Sequence, residues 1–420
     1  MFKQYIKITL QSIRENPLVS LISIAGTALS IAMIMVVILI FQVGNTNYMP
    51  ETKRDRMLYV HGTEAFSATA GYRNRGGMSS EVVRECFYSL ETPEAVTATR
   101  SQTKPVSLPE KRLFNTYAIK YTDAGFWSVF DFRFLKGRPF SREDFGSGLC
   151  AAVVSEKLAR ELFGSVEVVG KSCVIDFVEY TIRGVVKNVP EAASDAYAEM
   201  WVPYSSKPSF TSISSAFENI AGSFSVCMLA KKRSDFKDIT AELGRWTAAY
   251  NAGKESYAVD FMDNPIQKSD IAMGSHGFEK VPVKTFMLNT GAFLLFLLLI
   301  PTFNLSGVVQ SSIKRRQEEI GIRKAFGANS RKILSQVVWE NFILTLIGAL
   351  LGLCLSFFLF VLCKGFLLEG QTQITMGMLF TPGLFLLAIL FTFLLNFLCC
   401  GIPALRISGK KIVEALKNEQ

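Results

Sequence analysis

The fold of this chain follows from one charged stretch between two apolar ones, Lys314-Arg-Arg-Gln-Glu-Glu-Ile-Gly-Ile-Arg-Lys-Ala-Phe-Gly-Ala328. A segment with so many charges cannot lie in hydrocarbon, so it must lie at one face of a membrane. Ile313, Ile320 and Phe326 recur at roughly helical spacing, which predicts a short amphipathic helix that Gly327 ends. Charge alone favours a simpler interpretation, a solvated loop beside a membrane. Only the specific order of the residues indicates a functional segment.

Four apolar runs approach the length of about 20 residues that a helix needs to cross a bilayer. They are Leu18–Val43, Phe286–Val309, Phe342–Cys363, and Leu384–Cys400 with its flanks. The long polar stretch between the first two runs is large enough to bury a core of its own. We therefore predict a membrane protein with four transmembrane α-helices and one large α+β domain, here named the outer domain, between the first and second helices.

The distribution of charge predicts how the chain is oriented. The net charge is +9, yet residues 44–284 hold 30 Lys and Arg against 29 Asp and Glu, so the excess lies beside the apolar runs. That excess predicts contact with membrane lipid rather than with nucleic acid. Both termini and the charged stretch are then cytoplasmic, and the outer domain lies on the other side of the membrane.

These predictions divide the chain into nine parts. They are an interfacial helix at 1–17, helix 1 at 18–43, the outer domain at 44–285, helix 2 at 286–309, the charged region at 310–332, helix 3 at 333–363, a short outer link at 364–381, helix 4 at 382–403 and a cytoplasmic tail at 404–420.

Strands and helices alternate within the outer domain. Apolar patterning predicts strands at Met57–His61, Leu113–Tyr121, Cys150–Val154, Ala198–Val202 and Phe224–Leu229, and helices at Ser79–Leu90, Ser155–Phe163 and Ser234–Tyr250. A hairpin is predicted around residues 173–184, with Cys173, Ile175 and Phe177 on one face of its first strand.

The sequence lacks the usual arrangements of catalytic residues. His61 and His276 are the only histidines, and we interpret both as isolated surface residues. The stretch Gly164–Ser172 resembles a phosphate-binding loop, but it has one residue too many between its glycines and a strand follows it. We therefore predict no catalytic, cofactor or metal site in this chain. Cys86, Cys150, Cys173 and Cys227 could form disulfides or remain buried free thiols.

The order of residues from Arg315 to Ala328 closely resembles the signature that follows the second span of FtsX-like permeases, the membrane subunits of MacB-type ABC transporters. Phe163-Gly164, Val169-Gly170-Lys171 and the hairpin that ends Ile182-Arg-Gly-Val-Val186 resemble the MacB-type periplasmic core domain. The resemblance covers essentially the whole chain. It implies a multi-pass protein of the bacterial inner membrane and a periplasmic outer domain with two lobes. MacB itself carries a fused ATPase that this sequence does not show, so a separate cytoplasmic ABC ATPase, with its ATP and Mg, is implied.

The resemblance also implies which residues contact that ATPase. They are Arg315, Arg316, Glu318, Glu319, Ile320, Gly321, Ile322, Arg323, Lys324 and Gly327. Further implied partners are a second permease, identical or similar, and, where the role is efflux, a periplasmic adaptor and an outer-membrane channel.

Three roles are compatible with the resemblance. The first is a mechanotransmission subunit for efflux of peptides, antibiotics or similar compounds, and the size of the outer domain favours it. The second is a lipoprotein-release permease. The third is a non-transport, FtsX-like scaffold that regulates cell-wall hydrolases.

Overall fold

The computed structural model describes residues 17–67, 71–109, 114–211, 216–297 and 330–367, together with single positions between 9 and 14 and between 299 and 394. The chain divides into two compact units. One contains the long apolar helices, and the other, here named the outer unit, holds Phe41–Val283.

Three apolar helices account for most of the described residues outside the outer unit. They are α1 (Pro17–Asn45), α9 (Val283–Leu297) and α10 (Ser330–Leu367). Within the described residues, Ser20–Ile38 of α1 and Phe342–Leu359 of α10 are long and apolar enough to span a membrane. The helix α9 occupies the first half of the predicted second span. The predicted fourth span lies outside the described residues except for single positions, so the total of four spans stays a prediction.

The packing of α1 against α10 depends on small residues. Ile31 and Met35 of α1 are buried against Ala349 of α10. A Cβ atom on Gly348 would lie 2.8 Å from the Cβ of Thr27, and one on Gly352 would lie 2.6 Å from the carbonyl oxygen of Ala28. Both distances are too short for any side chain, so the two glycines allow the helix backbones to approach closely, as is common between membrane helices.

The outer unit contains fourteen described strands in two sheets. They are β1 (Met57–Val60), β2 (Thr63–Phe66), β3 (Arg73–Met78), β4 (Ala95–Ser107), β5 (Phe114–Thr122), β6 (Phe134–Gly137), β7 (Ala151–Ser155), β8 (Ser172–Ile175), β9 (Val178–Val186), β10 (Met200–Pro203), β11 (Ala221–Gly222), β12 (Ser225–Leu229), β13 (Ala258–Asp260) and β14 (Ile266–Gln267). The larger sheet has the order β14-β1-β12-β4-β5-β10-β7-β9-β6, with β8 paired to β4 and β9. The smaller sheet has the order β11-β3-β2-β13.

Short helices connect these strands. They are α2 (Ser80–Val82, continued by a π-turn at Val83–Phe87), α3 (Phe126–Val129), α4 (Arg142–Gly146), α5 (Glu156–Phe163), α6 (Pro208–Thr211), α7 (Phe236–Ala252) and α8 (Lys268–Ala272). Side-chain caps begin two helices that the sequence predicts: the Ser79 hydroxyl accepts a hydrogen bond from the Val82 amide, and Ser155 accepts one from Leu158. All the strands and helices that the apolar patterning predicts are present, with ends shifted by a few residues.

The two sheets share one hydrophobic core. Ala65 and Met78 of the smaller sheet are buried in the same cluster as Leu58 and Val154 of the larger one. Residues of both sheets are therefore buried together in this one unit, and the two lobes implied by the resemblance stay a prediction. Cys86, Cys150, Cys173 and Cys227 are all free thiols in this unit.

The hairpin around residue 176 corrects one prediction. Cys173 and Ile175 are buried, as their alternation indicates, but Phe177 is fully exposed. The strand β8 ends at Ile175, and Asp176 and Phe177 form the two-residue turn that leads into β9. Alternation ends where a turn begins, so Phe177 does not share the inward face of the strand.

Candidate functional site

The outer unit buries a group of charged residues where the chain arrives from α1 and leaves toward α9. We call Glu51, Arg54, Asp195 and Lys268, with His61 at the edge, the ionic cluster. Four separate segments supply it: the connection between α1 and β1, the connection between β1 and β2, the loop between β9 and β10, and the first residue of α8. The side chains of Glu51 and Arg54 are 0% exposed, and that of Lys268 is 7% exposed.

The guanidinium of Arg54 organises the connection that follows α1. Its Nε donates to Glu51 Oε2 at 2.6 Å, and its terminal nitrogens donate to the Thr46 carbonyl at 2.9 Å and to the Tyr48 hydroxyl at 2.7 Å. The Tyr48 ring also stacks against the guanidinium, with the centroid 4.0 Å away. The planar, five-donor fork of arginine suits this role because one side chain holds several acceptors at once.

Lys268 links that connection to the rest of the outer unit. Its ammonium lies 3.2 Å from Glu51 Oε2 and 2.5 Å from Asp195 Oδ2. The other oxygen of Asp195 is 2.8 Å from His61 Nε2. Glu51 Oε1 in turn accepts hydrogen bonds from the backbone amides of Asp195 and Ala196, both at 3.2 Å. The cluster therefore joins residues up to 217 positions apart, Glu51 to Lys268, in one network.

The charges in the cluster stabilise one another against burial. Burial alone would raise the pKa of Asp195, but the charge of Lys268 and the hydrogen bond with His61 outweigh it and hold that pKa well below its usual range. Burial would likewise lower the pKa of Lys268, but Asp195 and Glu51 raise it. Two buried carboxylates and two buried cations balance, which is the condition under which charges are tolerated in a protein interior.

Lys120 lies beside the cluster without joining an ion pair in it. Its ammonium donates to the carbonyl oxygens of Ser194 at 3.1 Å and Asp195 at 2.5 Å. Burial lowers the pKa of Lys120 to about 8. This lysine therefore holds the loop that carries Asp195 in place through its backbone.

Backbone segments also pack closely at the end of α1 and in the segment before α9. A Cβ atom on Gly44, in the last turn of α1, would lie 3.2 Å from the Cβ of Ala272 in α8. A Cβ on Gly277 would lie 2.7 Å from the amide nitrogen of Gly62, so neither backbone leaves room for a side chain there. Asn264 donates to the carbonyl of Gly277 at 2.8 Å and ties this approach together. The end of α1 and the segment before α9 are thus both fixed to the outer unit.

The charges of the ionic cluster are paired with one another. Its carboxylates are neutralised by cations, and the described residues contain no group of three or more metal-ligating side chains. A buried ionic network fixes the relative positions of its segments, since each partner needs the others to remain charged. The ionic cluster therefore ties the connection that follows α1, the loop that carries Asp195 and the start of α8 together within the outer unit.

Comparison with known proteins shows the family. Residues 20–245 match the MacB-like periplasmic core domain, and residues 291–412 match the FtsX-like permease C-terminal domain. The chain belongs to the MacB-like family of ABC transporter permeases. An ABC transporter permease that lacks a fused ATPase implies a partner ATPase, which agrees with the resemblance seen in the charged stretch.

The permease matches nearly the whole length of one relative and less than half the length of another. The ABC transporter permease YknZ of Bacillus subtilis (strain 168) is 24% identical over 99% of this chain and 98% of its own. The macrolide export ATP-binding/permease protein MacB of Pasteurella multocida is 26% identical over 73% of this chain but only 44% of its own, so the permease spans about half of that protein. A crystal structure of the extracellular domain of YknZ from Gram-positive bacteria is 22% identical, with a TM-score of 0.35 over 47% of this chain and 99% of that one.

The ATPase-contact residues predicted from the sequence, Arg315 to Gly327, lie outside the described residues of the permease. The ionic cluster, by contrast, is a site that the sequence did not predict. His61 was interpreted as an isolated surface residue, and that was wrong: its side chain is 28% exposed and is bound to Asp195. One signal was available, the Glu51–Arg54 pair at a spacing of three residues, close to the end of the first span. Nothing in the sequence indicates that the Glu51–Arg54 pair is buried.

Proposed function

We propose that the permease is the mechanotransmission subunit of a MacB-type ABC transporter. A separate cytoplasmic ATPase contacts residues 314–328, and its opening and closing displace the transmembrane helices. The outer unit follows that displacement and acts on a substrate outside the inner membrane. In this proposal two copies of the permease, or one copy and a similar chain, work with two ATPase subunits, with an adaptor and an outer-membrane channel completing the pathway.

The ionic cluster is the observation that carries this proposal. A displacement of α1 or α9 reaches the outer unit only if the connecting segments do not slip. Residues 46–54 follow α1 directly, and they are held by Arg54, Glu51 and Lys268 in a buried network. Stiff, packed elements that switch between discrete positions are the usual means by which proteins pass a motion between sites.

Export is the output that we propose for this motion. Relatives of the permease are named for macrolide export and for pyoverdine export, both of which concern compounds that leave the cell. We therefore propose efflux of peptides, antibiotics or similar compounds. Lipoprotein release and regulation of cell-wall hydrolases would use the same transmission and would differ in what the outer unit contacts.

One experiment separates the two ends of this mechanism. The permease is reconstituted in lipid nanodiscs with its ABC ATPase, and ATP hydrolysis is compared with that of the ATPase alone. We expect replacement of Glu319 and Arg323 by alanine to remove most of the stimulation by the permease, because both lie in the proposed docking segment. Stimulation that survives these changes would contradict the docking assignment.

The second arm tests the ionic cluster. We expect Lys268→Met to leave the stimulation of ATP hydrolysis intact and to abolish resistance to exported antibiotics in cells. The ATPase still binds the permease in this variant, but the outer unit no longer follows the displacement of the transmembrane helices. The matched control is Arg84→Ala, which breaks an ion pair with Glu85 whose side chains are 70% and 48% exposed. If Lys268→Met and Arg84→Ala behave alike at equal expression, the ionic cluster has no role in transmission.

A further inference from the structure

One arginine of the outer unit lies against an aromatic ring without a counter-charge. The guanidinium carbon of Arg100, in β4, is 4.0 Å from the centroid of the Phe210 ring in α6. In the part of the chain that the structure describes, the side chain of Arg100 has no ion pair, and its Nε is buried without a hydrogen-bond acceptor. Because burial removes water from the guanidinium and no carboxylate replaces that water, the pKa of Arg100 is lowered. Partly buried cations normally pair with an anion, so this side chain is free to bind one.

Two further polar groups without partners lie beside this arginine. Tyr121 of β5 is directly opposite Arg100 in the register of the two strands, so both side chains are on the same face of the sheet. Tyr121 is 0% exposed, and its hydroxyl has no hydrogen-bond partner among the described residues. Gln102, two positions further along β4, is on this face too, and its side-chain oxygen is buried without a donor. Since most buried polar atoms have partners, this group of neighbours indicates a place where a polar ligand binds.

The charge around these groups is positive. Lys207 Nζ lies 5.4 Å from the centroid of the Phe210 ring, the same ring that contacts Arg100. Lys207 and Lys104 share one carboxylate, that of Asp176 at the hairpin tip between β8 and β9, at 2.5 Å and 3.0 Å. This group of side chains therefore holds three cations and one carboxylate. Water can satisfy a buried hydroxyl, but it does not balance an excess of charge, so an anionic ligand suits this place better than a neutral one.

We propose that Arg100, Tyr121 and Gln102, here named the carboxylate site, bind the C-terminal end of a peptide. The planar fork of Arg100 suits a carboxylate, and the Tyr121 hydroxyl can donate to the same group. The side-chain oxygen of Gln102 can accept the backbone N–H of the terminal residue, which lies next to the carboxylate in a peptide. Phosphate and simple organic acids have no such N–H, so the combination of groups favours a peptide.

The ring of Phe210 covers the inner part of the carboxylate site. Arg100 is half-buried and can be reached from solvent, whereas the unpartnered atoms of Tyr121 and Gln102 are buried. Phe210 is only partly buried itself, in a helix of four residues, and its ring meets that of Tyr121 edge to face with 4.8 Å between centroids. A carboxylate therefore pairs first with Arg100 and reaches the Tyr121 hydroxyl as the Phe210 ring turns aside.

This inference deepens the proposed function, because it names a class of compound that the outer unit binds. It rests on that function for the choice of an exported compound as the ligand. Binding itself needs only the side chains of the outer unit, so it can be measured without the ATPase and without transport.

Binding of peptides to the full-length permease in lipid nanodiscs tests the carboxylate site. The probes are acetylated tripeptides that end in alanine, leucine or phenylalanine, each as the free acid and as the C-terminal amide, and binding is followed by ligand-observed NMR. We expect a free acid to bind and its amide to bind about tenfold more weakly, because the charge-assisted hydrogen bonds are lost. No binding of any free acid, or equal binding of acid and amide, would overturn the proposal.

Competition separates a peptide from other sources of negative charge. Acetate and inorganic phosphate are added to the complex of the permease with the free acid. We expect neither ion to displace the peptide at equal concentration, because neither offers an N–H to Gln102. Displacement by either ion at equal concentration would show a general anion site and would contradict the assignment to a peptide.

Two variants separate binding from folding. We expect Arg100→Gln to weaken binding of the free acid about tenfold and to leave binding of the amide unchanged. Tyr121→Phe removes only a hydroxyl that has no partner in the fold, so the midpoint of thermal unfolding should not fall while the affinity for the free acid falls severalfold. The matched control, Arg84→Gln, changes an arginine whose side chain is 70% exposed and should alter neither quantity. Unchanged affinity in Arg100→Gln, or a lower midpoint with unchanged affinity in Tyr121→Phe, would show that these groups serve the fold instead.

These outcomes are independent of the ATPase experiments. If Lys268→Met leaves export unchanged, the proposed transmission fails, yet the free acids should still bind. If no free acid binds while Lys268→Met abolishes export, only the carboxylate site is wrong.

Discussion

One arrangement of charges occurs twice in the outer unit, in two different surroundings. Glu51 is bound by Arg54 and Lys268, and Asp176 is bound by Lys104 and Lys207, so that each carboxylate holds two cations. The side chain of Glu51 is 0% exposed, while that of Asp176 is 27% exposed. The geometry is similar at the two sites, so the difference between them lies in how much water reaches the charges.

The extent of burial determines how much free energy each arrangement of ion pairs contributes to the fold. In the ionic cluster, removal of one charge leaves the others without compensation in a medium that cannot solvate them. At the hairpin tip, water replaces a lost partner, and the ion pairs contribute little free energy. The buried site therefore determines whether the segments that meet in the ionic cluster stay together, and the exposed site only determines where Phe177 points.

The largest expected effect comes from breaking the buried arrangement. We expect Glu51→Ala to reduce the free energy of unfolding of the outer unit by about 3–5 kcal/mol, because Arg54 and Lys268 lose a shared partner. Thermal unfolding of the purified permease in detergent, followed by tryptophan fluorescence, measures the change. The double replacement Glu51→Leu with Arg54→Met is the control, and we expect it to recover much of the loss. Equal losses for the single and double variants would show that packing, and not unpaired charge, is responsible.

The dependence on pH gives the next largest effect. The pKa of Asp195 is lower in the folded state than in the unfolded chain, so its ion pair stabilises the fold above about pH 4 and that stabilisation disappears as the pH falls through the folded value. We expect Asp195→Asn to be less stable than the natural chain at pH 7, and the gap to close as the pH falls below 4. Urea unfolding at a series of pH values measures both. A gap that stays constant with pH would contradict the lowered pKa.

The smallest effect is expected at the hairpin tip. Asp176→Asn removes both ion pairs, but asparagine is favoured in the left-handed conformation of the turn, so the two effects oppose each other. We expect the free energy of unfolding to change by less than about 1 kcal/mol. A loss as large as that of Glu51→Ala would mean that exposure does not distinguish the two sites, and the comparison would fail.

The sequence predicts the scaffold better than it predicts these sites. Short apolar runs correctly place strands such as β7 and β12, because a strand that is covered on both faces is apolar along nearly its whole length. The ionic cluster leaves no such pattern, since its members are ordinary charged residues until the fold brings them together. Glu51 and Asp195 are 144 positions apart, and neither differs in the sequence from a solvated carboxylate.

For Phe177 the sequence pattern is present but predicts the wrong orientation. Its spacing from Cys173 and Ile175 predicts an inward side chain, and only the position of the turn reverses that prediction.

The charged stretch from Lys314 to Ala328 is different again. Its order of residues led to the family, and the match of residues 291–412 to the FtsX-like permease C-terminal domain agrees with it. Its individual contacts with an ATPase stay a prediction.

The free thiols of the outer unit have a practical consequence for the folding and labelling of this protein. Burial raises the pKa of Cys86 and of Cys173 to about 12, so neither forms thiolate readily at neutral pH. The four sulfur atoms are unpaired, so the outer unit needs neither an oxidant nor a disulfide isomerase to form disulfides among them. Maleimide dyes would then react with a cysteine introduced at the surface far faster than with Cys86 or Cys173, and distances across the moving parts could be followed without first removing those two residues.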